Sequence, residues 1–377
     1  MRAAGLVACS LCVLIALAAS APSDGAPATP SVTALAGGGF AGYALMSDGS
    51  VRGWGDDLEG QIGPAGGWLY STMPAVMPGL SSVVALAAGN NSAYALTSSG
   101  SVLAWGDNVA DELGNSSVVM SDTLLPVAVP SAVVALAAGG FNGYALRADG
   151  SVWAWGDDDF GQLGRPGLQR GRPLRVPGLP PIKALAAGLA DGYALSATGT
   201  VWAWGDGSLG QLGDGARGGR IKPVAVLNGV KALAAGSDTA YALRDDGTVW
   251  AWGDGGFGAL GARRSGADRP VRIRGLANVV AIAAGGYSGY ALLGDGSIMA
   301  WGRGNDGELG GGRAANSATP EPVTGLSDVV AIAGGGTAAY ALDKQGRVWA
   351  WGNDFYGQLG DGTRHSRDTP TLVLAMS

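Results

Sequence analysis

Gly205-Asp206-Gly207-Ser208-Leu209-Gly210 has the Gly-x-Gly-x-x-Gly spacing with which a glycine turn opens a helix and cradles a dinucleotide pyrophosphate. Two tryptophans, Trp202 and Trp204, stand directly before it, which is heavy bulk beside a phosphate loop. The pattern recurs at 213–218, 253–258 and 302–307, and no helical apolar period follows any copy. Without a helix N-terminus there is neither a dipole nor a row of free N–H groups for a phosphate. These segments therefore read as turns.

Other reactive side chains are sparse. The single histidine, His365, lies in the polar stretch "GDGTRHSRDTP" and reads as a solvated loop residue. No Gly-x-Ser-x-Gly elbow, His-Glu-x-x-His pair or Cys/His cluster occurs, so a triad or a zinc centre has no anchor. Aspartates are plentiful: after successive Trp-Gly pairs come Asp56-Asp57, Asp107, Asp157-Asp158-Asp159, Asp206, Asp254, Arg303 and Asn353-Asp354. Their plainest role is to bond backbone N–H groups within turns. Calcium is the sharper reading, but "DDDFG" lacks the alternating ligands and terminal Glu of an EF-hand. Paired-carboxylate hydrolysis has many candidates and no pair that stands apart. No cofactor and no metal is expected.

The elements that position these residues are set by a repeat. The tyrosine of "YAL" recurs at Tyr43, Tyr94, Tyr144, Tyr193, Tyr241, Tyr290 and Tyr340. Each unit reads Val-x-Ala-Leu-Ala-Ala-Gly, a loop, Tyr-Ala-Leu, a Gly turn, Val-Trp-Ala-Trp-Gly, a loop ending Gly-Gln-Leu-Gly, then Pro-Val-x-Val. Every segment has strand length, and each central turn places Gly where a tight hairpin needs positive φ. Seven such units predict an all-β, seven-bladed β-propeller with four antiparallel strands per blade. The units fall near 31–80, 81–130, 131–179, 180–229, 230–276, 277–326 and 327–377.

The chain starts on an "ALAGG" strand with nothing like Pro-Val-x-Val before it, and ends on "TPTLVLAMS". Pairing the C-terminal strand, 372–374, with the first blade would complete both ends and remove an open edge. The second Trp of the third strand is present in every unit, the first in four (Trp153, Trp202, Trp250, Trp349). All eleven are expected in the core, each worth up to about 5 kcal/mol of buried area.

The first 21 residues have the shape of a secretory signal: Arg2, an apolar run from Leu6 to Ala19, then small residues. Residues 22–30 read as a linker and 31–377 as the propeller. Both cysteines, Cys9 and Cys12, fall in the signal, so the exported chain has no thiol chemistry. The tetrad at 6–9 resembles a lipoprotein box but has too little apolar sequence before it. The formal net charge is −6, and the composition offers no basic stripe for a nucleic-acid backbone. A secreted or extracytoplasmic monomer follows, without a membrane span in its mature form.

The unit "DGTVWAWGDxxxGQLG" resembles the repeat of the regulator of chromosome condensation family, over residues 31–374. The resemblance implies a seven-bladed propeller. It also implies protein partners: the nuclear founder is an exchange factor for the GTPase Ran, and a secreted bacterial relative inhibits β-lactamases by an aromatic-rich loop face. Two departures weigh against exchange activity. Family repeats carry His three residues before Ala-Leu, where this chain has Ala41, Ser92, Asn142, Asp191, Thr239, Ser288 and Ala338; and the even spacing leaves no room for the exchange factor's inserted hairpin.

Strand direction places the loop before Tyr and the loop after Trp-Gly on one face of the disc. The first set holds Phe40, Asn91, Phe141, Asp238 and Tyr287; the second holds Asp57, Phe160, Phe257, Asp306 and Tyr356. Aromatic anchors among polar neighbours suit a protein–protein hot spot, and these ten residues are the expected binding face. Trp68 and Tyr70 are the strongest departure from the repeat. The expected function is capture or inhibition of another protein without catalysis. The alternatives are a carboxylate-dependent cell-envelope enzyme and, by family analogy, an exchange-factor-like protein; Asn90 and Asn115 head glycosylation sequons for a host able to use them.

Overall fold

Seven times, four short strands follow one another and pair as antiparallel neighbours in chain order. A computed structural model describes residues 29–63, 69–116, 118–167 and 170–374. The expected signal peptide, both cysteines and Trp68 lie outside them. In the first blade β1 (Val32–Gly37) is innermost, followed outward by β2 (Ala41–Met46), β3 (Val51–Asp56) and β4 (Tyr70–Val76). The others span 83–127, 133–175, 182–227, 230–272, 279–322 and 329–372, each a four-stranded sheet of the same order. No α-helix occurs among the described residues; one 3-10 turn covers Gly256–Gly258.

The hairpin between the second and third strands depends on glycine. At Gly49 φ is +80° and at Gly199 +84°, a region in which a Cβ collides with its own backbone. Around the axis, glycine serves a different need. A Cβ on Gly37 would meet the Gly334 carbonyl oxygen at 2.6 Å, so the inner strands approach closely only because no side chain intervenes. The axial cavity they leave is about 60 Å³ and is lined mainly by glycine and alanine, with Asn90, Leu189 and Ser237 and no carboxylate among the lining side chains.

The core lies between blades. Tyr43, Leu45 and Val51 of blade 1 pack with Leu86, Ala95 and Trp105 of blade 2, and equivalent clusters fill the other six seams. The second Trp of every unit is at most 1% exposed. The first is not: Trp153, Trp202, Trp250 and Trp349 are only half-buried. The core thus fully buries seven of the expected eleven, and Trp153, Trp202 and Trp349 pack against it while only partly covered.

Ring closure also differs from expectation. The last strand, Arg367–Leu372, pairs within its own blade, Trp349 opposite Leu372 and Gly352 opposite Arg367, and blade 1 is completed by its own β4. A hairpin partner only a short loop away costs less closure entropy than one at the far end of the chain. The ring closes by packing instead. Val32, Leu35 and Trp54 share a cluster with Tyr340, Leu342, Leu359 and Val373. Gly336 N–H donates to Gly38 O at 2.8 Å and Gly362 N–H to Thr72 O at 2.9 Å.

Candidate functional site

The loop after Trp-Gly is a box closed by its own polar side chains. In blade 1, Gln61 Nε2 donates to Asp56 Oδ2 at 3.2 Å while Gln61 Oε1 accepts from Glu59 N–H at 2.8 Å. Gln162 with Asp157, Gln211 with Asp206 and Gln358 with Asn353 repeat the first bond at 3.0–3.1 Å. The neighbouring residue closes the other side: Asp57 Oδ1 accepts from Ile62 N–H at 2.8 Å, and Asp158 and Asp354 do the same for Leu163 and Leu359. The buried Gln main-chain oxygen then serves two blades. Gln61 O accepts from Tyr43 OH of its own blade at 2.8 Å and from Trp105 Nε1 of the next at 2.6 Å.

This box explains the aspartates. Burial pushes the Asp57 carboxyl up to about 6, helped by Asp56 and Asp122. Burial likewise raises Asp354 to about 7, with Asp361 adding to it. Both carboxyls are engaged by the backbone of their own loop, as turn chemistry demands. In "DDDFG", Arg170 Nη2 lies 2.9 Å from Asp157 Oδ1 and also pairs with Asp159. Among the described residues no group of three His, Cys, Asp or Glu is placed to hold a metal. The Gly205–Gly210 segment is a turn, with Gly210 N–H on Gly207 O at 3.0 Å, and His365 is exposed on its loop.

Antiparallel order puts both loop sets on one face, so the ten expected binding residues do share it. Their side chains divide. Phe40 (37% exposed), Phe141, Phe160 and Phe257 reach solvent, with Tyr287 and Tyr356 half-buried among them. The acids turn inward: Asp57 holds its own loop, and Asp306 Oδ2 takes a bond from Arg303 Nη2 at 2.6 Å. Asp238 is half-buried, its carboxyl pushed upward by burial and by Asp254 and Asp206, and Asn91 is half-buried, its main-chain carbonyl accepting from Asp107 N–H. What remains on offer is aromatic rather than acidic.

Those aromatics meet across seams, the second loop of one blade touching the first loop of the next. Phe257 and Tyr287 have ring centroids 5.5 Å apart, and Tyr356 and Phe40 are 5.4 Å apart, both edge-on. The second pair extends into a ridge. Phe355, 60% exposed, lies 4.9 Å from Tyr356, and the Arg364 guanidinium sits over Phe355 at 5.2 Å and over Tyr70 at 4.4 Å. Phe40, Tyr356, Phe355, Arg364 and Tyr70 thus form one continuous surface where blade 7 meets blade 1. Phe355 and Arg364 were legible as the aromatic doublet and the arginine beside His365, but their alignment with Tyr70 depends on ring closure.

One charged feature runs against the composition. Within "ARRSGADRPVRIR" (262–274) are five arginines and one aspartate. A chain of net charge −6 therefore does carry a local basic stripe, on the rim of blade 5, which the whole-chain balance conceals.

Residues 126–377 match the family model of the RCC1-like domain, and residues 83–110 that of the Regulator of chromosome condensation (RCC1) repeat. Protein pim1 of Schizosaccharomyces pombe is 31% identical over 114 residues, 27% of this chain. That alignment spans only 20% of pim1. Among solved structures, human WBSCR16 is similar with a TM-score of 0.79 at 22% identity, over 86% of this chain and 94% of that one. Yeast RCC1 (Prp20), solved with Kap60 bound, gives a TM-score of 0.79 at 22% identity over 96% and 91%. Prp20p of Saccharomyces cerevisiae, reported with its binding to Gsp1p and histones, gives 0.76 at 24% over 85% of each chain. At these identities the likeness is one of fold.

Proposed function

Because the chain belongs to the RCC1-like domain family, we propose that it is a protein-binding propeller that captures its partner on the loop face without catalysis. One observation carries the reading: the continuous ridge of Phe40, Tyr356, Phe355, Arg364 and Tyr70, in which Phe40, Phe355 and Arg364 are exposed and the two tyrosines half-buried. Rings already packed edge-on against one another lose little side-chain freedom on binding, which suits them as anchors. The raised carboxyls of Asp57 and Asp354, by contrast, are committed to the backbone of their own loops. The proteins paired with Prp20p, namely Gsp1p, histones and Kap60, support a protein as the class of partner. We place the site of action outside the cytoplasm, on the export-signal shape of residues 1–21, and an inhibitory outcome of capture belongs to the same proposal.

The test is capture from culture medium by the immobilised wild-type chain, compared with Phe40→Ala/Phe355→Ala/Tyr356→Ala. The expected result is a partner retained by wild type and lost by the variant, with both melting at the same temperature. A partner retained equally by both would move the binding surface elsewhere.

A further inference from the structure

On the rim of blade 5 lies an open groove of about 840 Å³ lined by Trp250, Arg264, Pro270, Arg272, Arg274 and Thr319. Arg264, Arg272 and Arg274 are exposed, and among the described residues none of them forms an ion pair. Seven other arginines are held by carboxylates, among them Arg220, 2.6 Å from Asp214, and Arg367, 2.8 Å from Asp361. Asp246 is the acid whose charge reaches Arg272, and it sits on the exposed hairpin turn of the same blade. Arg272 stands opposite Trp250 across the outer strand pair, and Arg244 lies over the Trp250 ring at 5.6 Å. Blade 3 has the smaller counterpart, a groove of about 290 Å³ with Arg165 and Arg175, where Arg175 stands opposite Trp153.

We propose that the blade 5 groove binds an acidic peptide segment of a partner protein, three guanidiniums taking its carboxylates and Trp250 with Pro270 forming an apolar floor. Arginine forks match carboxylates bidentately, and unpaired exposed guanidiniums need no internal bond broken first. Recognition runs through side chains: Pro270 interrupts the outer strand, Gly266–Arg272, and blocks its extension by an added strand. A long polyanion such as nucleic acid would cross the rest of a surface whose net charge is −6, whereas a short acidic segment stays within the stripe. The groove is chemically unlike the aromatic loop face and is independent of it.

The experiment measures fluorescence anisotropy of labelled octaglutamate with the intact chain at low and high salt. Arg264→Ala/Arg272→Ala/Arg274→Ala is compared with a charge-matched control, Arg217→Ala/Lys222→Ala/Lys231→Ala, at three other exposed positions. The groove variant is expected to bind at least tenfold more weakly and the control within twofold of wild type, with unchanged melting of both. The corresponding Arg→Gln triple, which keeps length over the groove, gives the same loss. Equal weakening by groove and control variants overturns the proposal, as does absence of saturable octaglutamate binding by wild type. Tighter, groove-dependent binding of oligothymidylate would replace the peptide with nucleic acid.

Discussion

Trp54 donates its indole N–H to the Gln358 main-chain oxygen at 2.9 Å, joining the first blade to the last. The same oxygen accepts from Tyr340 OH at 2.8 Å, and the two rings meet edge-on with centroids 5.8 Å apart. Equivalent bonds staple blade to blade around the ring, with one exception: Trp252 Nε1 is buried without a partner. Trp54→Phe and Trp252→Phe remove the same volume from equivalent sites, but only the first removes a hydrogen bond. Trp54→Phe is expected to cost about 1 kcal/mol more, read from urea unfolding of the two variants. Equal costs would mean that the staple adds nothing to the packing.

Closure without a shared strand has a topological consequence. Each blade owns its four strands, so every link between blades is equivalent to the gap between the chain ends. A circular permutant that joins residue 374 to residue 29 and opens between Leu179 and Pro180 keeps every sheet whole. It should fold, with a melting temperature within a few degrees of wild type. Were the C-terminal strand instead part of blade 1, the same permutant would begin and end inside intact blades yet pull blade 1 apart at the new joint. Loss of cooperative unfolding would point to that arrangement.

Glu112 stands where Gln61, Gln162, Gln211 and Gln358 stand in other blades. It keeps one task, accepting from Ala110 N–H at 2.8 Å, but has no amide to donate to Asp107. Burial, with Asp107 and Asp111 nearby, pushes its carboxyl up to about 7. A raised acid favours the folded state while protonated, so stability is lost as pH climbs from its unfolded value, about 4.5, through about 7. Glu112→Gln should therefore stabilise by about 1–3 kcal/mol at pH 8 and by much less at pH 5. The check is the melting temperature of both proteins across that range; a gain independent of pH would remove ionisation as the cause.

Much of this was readable from residues. Trp, Tyr and Gly at fixed spacing dictated the blades, and strand alternation dictated which loops share a face. Closure was not readable, because a periodic pattern is the same whichever strand the ends share; only Trp349 opposite Leu372 decides it. The acids misled for a local reason. Asp57 and Phe160 both belong to the second loop set, but the Asp-x-x-x-x-Ile spacing of Asp57 and Ile62 turns the carboxyl onto a backbone N–H. The arginine groove was hidden by averaging: whole-chain charge says nothing of where Arg264, Arg272 and Arg274 gather.

Asp191 occupies the position at which Asn142, Thr239 and Ser288 each donate to the main-chain oxygen fifteen residues on, at 2.5, 2.8 and 2.8 Å. It is 2% exposed, and its carboxyl oxygens make no hydrogen bond of good geometry, the Gly188 backbone and the Tyr193 hydroxyl being its nearest polar neighbours. Burial holds its pKa well above the usual carboxylate range, and Asp238 and Asp206 reinforce the effect. The charged groups around it are acids, with the Tyr193 and Tyr144 hydroxyls beyond. A neutral Asp191 can donate its O–H as its counterparts donate theirs. An ionised one is an unpaired buried charge. Asp191→Asn supplies an amide donor at every pH, so it should match wild type in mild acid and exceed it in melting temperature as pH rises. Infrared difference spectra should show a protonated-carboxyl band in wild type at neutral pH that is missing from the variant. Wild-type stability that instead grew relative to Asp191→Asn with rising pH would mean that the carboxylate, not the acid, is the folded form.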